Sequence, residues 1–183
     1  MYKVHIDSDN HLSILEPRNA SELFKVIDES RENIGKWLSF PEKTKKVDDS
    51  VAFIEKSLKR LSENNGYWAG IWHNGSIAGS IGFLYIDWNA KKTEIGYWLG
   101  DRFTGKGLAT KAVKQFIDHS FNELDLRKVE INVASNNFKS RAIPERLDFT
   151  QEGIIRNYEY LNGEYHDRVI YGLLKEEWNL TDI

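Results

Sequence analysis

"EIGYWLGDRFTGKGLATKAV", residues 94–113, is the stretch on which the fold turns. Gly100, Gly105 and Lys106 fit G-x-x-x-x-G-K-[ST], the phosphate loop of nucleotide hydrolases. Gly107 then stands where that loop needs a hydroxyl for Mg²⁺. A phosphate-loop fold also needs several parallel strands, and the flanking sequence offers one parallel step. What remains is glycine-rich backbone running into a helix. Gly105 and Gly107 let the chain approach a ligand closely. The first amides of a helix have no intrahelical acceptor and lie at its positive end. Such a cradle takes a pyrophosphate without metal, and Arg102, Lys106 and Lys111 would add charge. A tight turn with no ligand is the plainer alternative for the same glycines.

Outward from this loop, "KTEIGYWLG" (92–100) reads as a strand. Before it, "YWAGIWH" (67–73) and "SIAGSIGFLYID" (76–87) are strands, joined at Asn74-Gly75 by a hairpin turn. With "DWNAKK" (87–92) as a second turn, the three form an antiparallel meander. After the loop, Leu108, Ala112, Phe116 and Leu124 make one apolar stripe, and Ala109, Val113, Ile117 and Phe121 the next. That width predicts a helix packed on a sheet, with His119 at its surface. "KVEINVA" (128–134) alternates as a strand, so strand, helix and strand form a parallel crossover. "NNFKSRAIPERLDF" (136–149) holds a short helix, with Ser140 as N-cap and Pro144 in its first turn. "GIIRNYEYL" and "EYHDRVIYGLL" flank Asn162-Gly163, the signal of a long closing hairpin.

The N-terminal part adds a strand at "HLSIL" (11–15) and a helix through Leu23, Phe24 and Ile27, opened by an Asn19/Glu22 capping box. "GKWLSFPEKTKK" (35–46) is a loop or broken helix. Val47, Val51, Ile54, Leu58 and Leu61 recur at helical spacing, with Asp48 or Asp49 as cap and "NNG" (64–66) as stop. The fold class is therefore α/β (α+β): a mixed, mostly antiparallel sheet with one central parallel step and helices on both faces.

The chain has 183 residues, 40% hydrophobic and 13% aromatic, which suits one domain with a full core. A net charge of -3 gives no nucleic-acid signal. No apolar run approaches the roughly 18 residues of a membrane helix, and "MYKVHIDSDNHL" lacks a signal-peptide core. Without cysteine there is no disulfide, thiolate metal site or cysteine nucleophile. The histidines (5, 11, 73, 119 and 166) show no metal-ligand spacing. These features predict a cytoplasmic protein with no metal, membrane or nucleic-acid partner.

"RFTGKGLA" (102–109) matches the R/Q-x-x-G-x-G/A signature and resembles that of the GCN5-related N-acetyltransferases. "EIGYWLG" resembles the strand before that signature. "NFKS" (137–140) followed by "ERLDF" is similar to the Asn-x-x-Ser segment of the ribosomal-protein N-terminal (serine/alanine) acetyltransferase branch, as is the closing "GEYHDRVIYGLLKEEW" to that branch's last hairpin. The similarity runs from about residue 11 to 178. Two departures stand out: Thr104 replaces a large or amide side chain, and Asp148 replaces the glycine of "LGF". Asp tolerates a left-handed backbone better than most residues.

The resemblance implies one N-acetyltransferase domain over 1–183 with the acyl-CoA N-acyltransferase fold. It implies acetyl-CoA as cosubstrate, and direct transfer to a primary amine, above all a peptide or protein N-terminal α-amine. It implies that Arg102, Thr104, Gly105, Lys106, Gly107, Leu108 and Ala109 hold the pyrophosphate, while Trp98, Leu99, Gly100 and Asn137 hold the amide-rich arm, the alternative for Asn137 being that it merely closes a turn. Strand 92–100 diverges from strand 128–134 in that family and leaves a slot for the arm. Ser140 would stand near the cofactor sulfur, although its spacing also suits a helix cap. Glu94 is the best candidate base, sharing a strand face with Gly96 and Trp98; the alternative is an ordinary solvent-facing residue. Tyr158, Glu159 and Tyr160 are further candidates. Trp37, Leu38 and Phe40, with Tyr160, would wall the acceptor pocket, or else merely pack. Glu159, Glu164 and Asp167 make the last hairpin acidic, and Lys43, Lys45 and Lys46 form a solvated loop or a contact for acidic protein or RNA.

Amine basicity narrows the acceptor. Freeing an α-amine of pKa about 8 at pH 7 costs roughly 1.4 kcal/mol, against roughly 4.6 kcal/mol for a lysine amine near 10.4. A modest base therefore suits an α-amine. The alternatives are a small amine or polyamine acceptor, or a coenzyme A-binding module without turnover. The branch and the aromatic content predict a homodimer or higher homo-oligomer.

Overall fold

The structure is a computed structural model that describes residues 3–178. Residues 1, 2 and 179–183 of the expected 1–183 domain lie outside the described residues. The elements are β1 (Lys3–His5), β2 (Asn10–Ile14), α1 (Ala20–Glu29), α2 (Arg31–Gly35), α3 (Phe40–Lys43), α4 (Val47–Ser62), β3 (Trp68–His73), β4 (Ser76–Asp87), β5 (Lys92–Leu99), α5 (Leu108–Asp118), β6 (Lys128–Ala134), α6 (Phe138–Arg146), β7 (Thr150–Leu161), β8 (Glu164–Leu174) and α7 (Lys175–Trp178). The strands follow one another in the sheet as β1-β2-β3-β4-β5-β6-β8-β7. β5 and β6 are parallel, and the other pairs with a described register are antiparallel. The chain divides into two compact units: the part up to Gly82 with Tyr97–Ala112, and Phe83–Gly96 with the part from Val113 onward. β4, β5 and α5 contribute to both.

In the first unit, α1 and α4 bury Leu23, Val26, Ile27 and Ile54 in one cluster with Ile77 and Trp98. Burying such side chains is worth ~1.5–3 kcal/mol each. The Asn74-Gly75 turn has φ of 49° and 77°, the left-handed pair a type I′ hairpin requires. The stretch 35–46, expected as a loop or broken helix, follows the end of α2 at Gly35 and holds only the single turn α3. The caps depart from expectation. Asn19 accepts from the Glu16 amide (2.9 Å), and Glu22 instead accepts from Ile77 N–H (2.8 Å). That amide lies next to the β3–β4 register shift, where a charged side chain from α1 replaces a ladder partner. α4 is capped at Lys46, two residues before Asp48, and Asp49 reaches back to the amides of Lys45 and Lys46 (2.8 and 3.0 Å).

In the second unit, Phe83, Phe116, Phe121, Val129, Ile131 and Tyr171 are almost wholly buried. The rings of Phe83 and Phe116 lie 4.9 Å apart. α5 passes into a π turn at His119–Glu123, closed by Leu124 N–H on the His119 carbonyl (3.1 Å). His119 lies three residues after Phe116, on the buried arc of the helix, and is 7% exposed, while Leu124, beyond the π turn, is half-buried. The expected surface histidine and the Leu124 stripe are thus corrected. The closing hairpin turns at Asn162-Gly163 with φ of 54° and 82°.

Candidate active site

Within the first unit, the glycine loop is tied down before it is offered to anything. Gly100 N–H donates to Ala78 (2.8 Å), and Asp101 N–H donates to Ser30 Oγ (2.9 Å). Asn33 donates to the Asp101 carboxylate (2.7 Å). The short turn Asp101–Phe103 buries Phe103 and leads into two left-handed residues, Gly105 (φ 76°) and Gly107 (φ 73°). A Cβ at either would meet nothing within 4 Å. The glycines therefore serve both readings: the turn needs their φ, and the space beside them is open. Lys111 N–H makes the first described bond of α5, to Gly107 (3.1 Å), so the amides before it sit at the helix start.

The expected cations are not equivalent. Arg102 pairs with Glu29 (3.3 Å) and lies over the Phe103 ring. Lys111 pairs with Asp7 (2.7 Å), and this bond, more than any other contact, holds the Asp7 carboxyl well below the usual carboxylate range. Lys106 and Thr104 are exposed, with the Thr104 hydroxyl donating to Asp101 (3.0 Å). The side chains of Trp98, Leu108 and Ala109 are buried, so their backbone is what the loop presents. Trp98 packs against Phe40, with centroids 5.5 Å apart. Trp37 is half-buried and Leu38 exposed.

The second unit carries the titratable groups. Period-2 alternation sends Thr93, Ile95, Val129, Ile131 and Val133 into the core. Lys92, Glu94, Lys128, Glu130 and Asn132 take the other face, joined by Arg168 opposite Ala134. The β5–β6 register ends at Glu94 and Glu130, while β6 stays paired with β8 to Ala134. Glu130 accepts from the Tyr85 hydroxyl (2.8 Å) and pairs with Lys92 (3.3 Å) and Lys128 (3.2 Å). Burial pushes the Glu130 carboxyl up, but Tyr85 and the two lysines outweigh it and leave it lowered. Burial, aided by the Glu130 charge, pushes the Tyr85 phenol up.

Glu94 differs from its neighbour. Burial raises its pKa above the usual range and the Glu130 charge adds to this, against the opposing pull of Arg168 and a hydrogen bond from Asn132. Asn132 Oδ1 and Arg168 Nε are buried and have no partner among the described residues. Each such orphan costs ~1–3 kcal/mol. Arg168 otherwise donates to Glu159 (2.8 Å) and lies over the Tyr158 ring, 4.1 Å from its centroid. Neither Asn132 nor Arg168 was singled out in the sequence. Their alternation marks a strand face, but the β6–β8 register that brings them together is not local.

Asn137, not Ser140, caps α6: its side-chain oxygen accepts from Ser140 N–H at 3.2 Å. Both residue types cap helices, and spacing alone put the start too late. Pro144 consequently lies inside the helix rather than in its first turn. It cannot donate to the Ser140 carbonyl, and α6 ends at Arg146. Asp148 has φ 58°, the left-handed conformation its place in "LDF" predicts. Tyr160 is 64% exposed and pairs with Tyr165, with centroids 4.9 Å apart. Among the described residues no group of His, Asp or Glu is placed to hold a metal ion, and no helix is long and apolar enough to cross a membrane.

Comparison with known proteins agrees with this arrangement. "Putative ribosomal N-acetyltransferase YdaF" of Bacillus subtilis (strain 168) is 38% identical over 179 residues, covering 97% of this chain and 98% of that protein. A crystal structure of a "Probable acetyltransferase" superposes with a TM-score of 0.93 at 38% identity, covering 97% of this chain and 99% of that one. The microcin C7 self-immunity acetyltransferase MccE, solved in complex with acetyl-CoA and AMP, gives a TM-score of 0.87 at 31% identity over 92% of this chain and 94% of its own. The family model of the acetyltransferase (GNAT) domain matches residues 11–150, from β2 to the start of β7 and through the whole glycine loop. A parallel β5–β6 step, a glycine loop at the start of α5 and this match together make the chain a member of the GNAT family of N-acetyltransferases.

Proposed function

We propose that residues 1–183 act as one N-acetyltransferase domain whose acceptor is a peptide or protein N-terminal α-amine. Acetyl-CoA is the acetyl donor. The observation that carries its placement is the pair of left-handed glycines, 105 and 107, with open space beside both at the start of α5. Backbone amides from Gly105 to Ala109 suit a pyrophosphate, with Lys106 and Arg102 beside it. The backbone of Trp98, Leu99 and Gly100 suits the amide-rich arm as an added strand, and the short β5–β6 ladder supports that pairing. Asn137, which caps the start of α6, is the proposed side-chain contact for the same arm. Bound in this way, acetyl-CoA supplies a thioester acetyl group.

The residues of the chain do the rest. Glu94 takes a proton from the amine as nitrogen bonds to the acetyl carbon. Its raised pKa brings it closer to the amine's own, which makes transfer less uphill. Ser140 donates a hydrogen bond to the sulfur as the carbon–sulfur bond breaks. Asn137 performs the capping, so this role does not compete with the helix cap. Trp37, Leu38 and Tyr160 are the proposed contacts for the acceptor. The relative named for ribosomal N-acetyl transfer supports a protein N-terminus. Two hairpin acids are already engaged, Glu159 by Arg168 and Asp167 by the Asn157 amide, which weakens the case for a polycation. Exposed Ile154, Ile155 and Tyr165 on β7 and β8 support a second copy of the chain as partner, and the composition suits a cytoplasmic enzyme.

The test is thiol release from acetyl-CoA with a panel of N-terminal peptides, small amines and polyamines. Preference for peptides by kcat/KM is expected, and preference for polyamines overturns the acceptor. Sedimentation at micromolar concentration should show a dimer, and a clean monomer removes that claim.

A further inference from the structure

We infer that Asn132 and Arg168 recognise the carbonyl group adjacent to the acceptor amine, so that the enzyme selects α-amino carbonyl compounds over plain amines. This rests on the α-amine reading above and names the groups that would enforce it. The polar face of β5, β6 and β8 holds many charges, and nearly all satisfy one another. Lys92, Lys128 and Tyr85 converge on Glu130, and Lys128 also reaches Glu152 (2.6 Å). Two atoms stand outside this account, Asn132 Oδ1 and Arg168 Nε, both buried and without a partner among the described residues.

Their placement is specific. Asn132 lies two residues beyond Glu130, the register partner of Glu94, and Arg168 is opposite Ala134, two residues further along β6. All of these point to one face. Diagonal neighbours of this kind stand ~7–8 Å apart, within reach of long side chains. Asn132 spends its amide N–H on Glu94, which leaves its oxygen to accept. Arg168 is fixed through Glu159 and the Tyr158 ring, which leaves Nε–H to donate. Beside the base there is thus one unpartnered acceptor and one unpartnered donor.

A peptide N-terminus supplies the matching set: an amine N–H for Asn132, and a carbonyl oxygen three bonds from the α-nitrogen for Arg168. A polyamine or a lysine side chain offers no acceptor at that distance and would leave Arg168 Nε unpaired. Both atoms are buried in the free chain, so Tyr158, 49% exposed and lying over the guanidinium, must rotate aside as the acceptor enters. Rotamer changes of exposed side chains take picoseconds to nanoseconds.

The experiment compares an Ala-initiated tripeptide amide with its analogue in which the first carbonyl is reduced to CH₂. The wild type should prefer the peptide by about 100-fold in kcat/KM, because the analogue leaves buried polar groups unmatched. Reduction also makes the amine more basic, so the residual preference is not one; Arg168→Lys, which keeps the charge, and Asn132→Leu should each lower that ratio at least ten-fold, at unchanged acetyl-CoA affinity and with a folded melting profile. The ratio is the readout because a merely structural role lowers both substrates together. An unchanged ratio in both variants overturns the inference, as does a wild-type ratio near one; peptide acetylation in either case leaves the transfer reading intact. Failure of the wild type to acetylate either compound overturns both.

Discussion

The backbone N–H of Ser140 donates to the side-chain oxygen of Asn137 at 3.2 Å, so the start of α6 is held by one residue and the proposed chemistry by the other. The two roles separate on substitution. Asn137→Ala should cost about 1 kcal/mol of stability, a few degrees in Tm. Ser140→Ala should lower kcat and kcat/KM together by at least ten-fold, as for an interaction made in the transition state, and by more than its change in Tm accounts for. Thermal melts beside steady-state kinetics decide. A lowered Tm with full kcat for Ser140→Ala would make Ser140 structural.

Gly105→Val and Gly107→Val should fold but bind acetyl-CoA at least ten-fold more weakly. A side chain costs ~1–2 kcal/mol at left-handed φ and fills the space beside the loop. Calorimetric titration on folded variants is the measurement, and unchanged affinity would remove the pyrophosphate from this loop.

Glu94 gives a pH signature of defined sign. Its carboxyl is raised in the folded state by burial, so the base is lost to protonation as pH falls through that raised value. The wild-type rate should fall on the acid side at a higher pH than an ordinary carboxylate near 4.3 would give, and Glu94→Gln should lose that limb together with most of its rate. Stability runs the other way. The protonated group favours the fold below its unfolded pKa, and this is lost as pH rises through the folded value. Glu94→Gln should therefore gain in Tm relative to wild type between pH 4 and 8. A constant difference in Tm would exclude a shifted carboxyl.

Local chemistry made much of this legible in the sequence. Asn74-Gly75 and Asn162-Gly163 announce hairpins because those turns need left-handed residues, and Gly105 and Gly107 announce a loop for the same reason. What escaped depends on partners distant in sequence or on a broken period. Glu22 leaves its own helix for Ile77, Leu124 is taken off its stripe by a π turn, and Asn132 and Arg168 share a face through a register that alternation cannot fix. The α6 start slipped because Asn137 and Ser140 are both good caps.

Asp148 offers a check on backbone strain. With φ 58° it occupies a conformation that glycine adopts freely, so Asp148→Gly should be neutral or raise stability, and Asp148→Val should lower it by ~1–2 kcal/mol. Chemical denaturation of both variants tests this. A destabilised glycine variant would mean that the Asp148 side chain contributes more than its conformation costs.

The π turn at His119–Glu123 has a consequence for chain length. It holds one residue more than the α-turn it replaces, so it is a place where the second unit can absorb a single-residue deletion. Shortening the chain there would restore a regular helix and leave the upstream core faces of Phe116 and Ile117 in place, whereas the same deletion inside β6 would exchange its buried and polar faces. Homologous chains that differ by one residue between the glycine loop and β6 should therefore carry the difference at this turn.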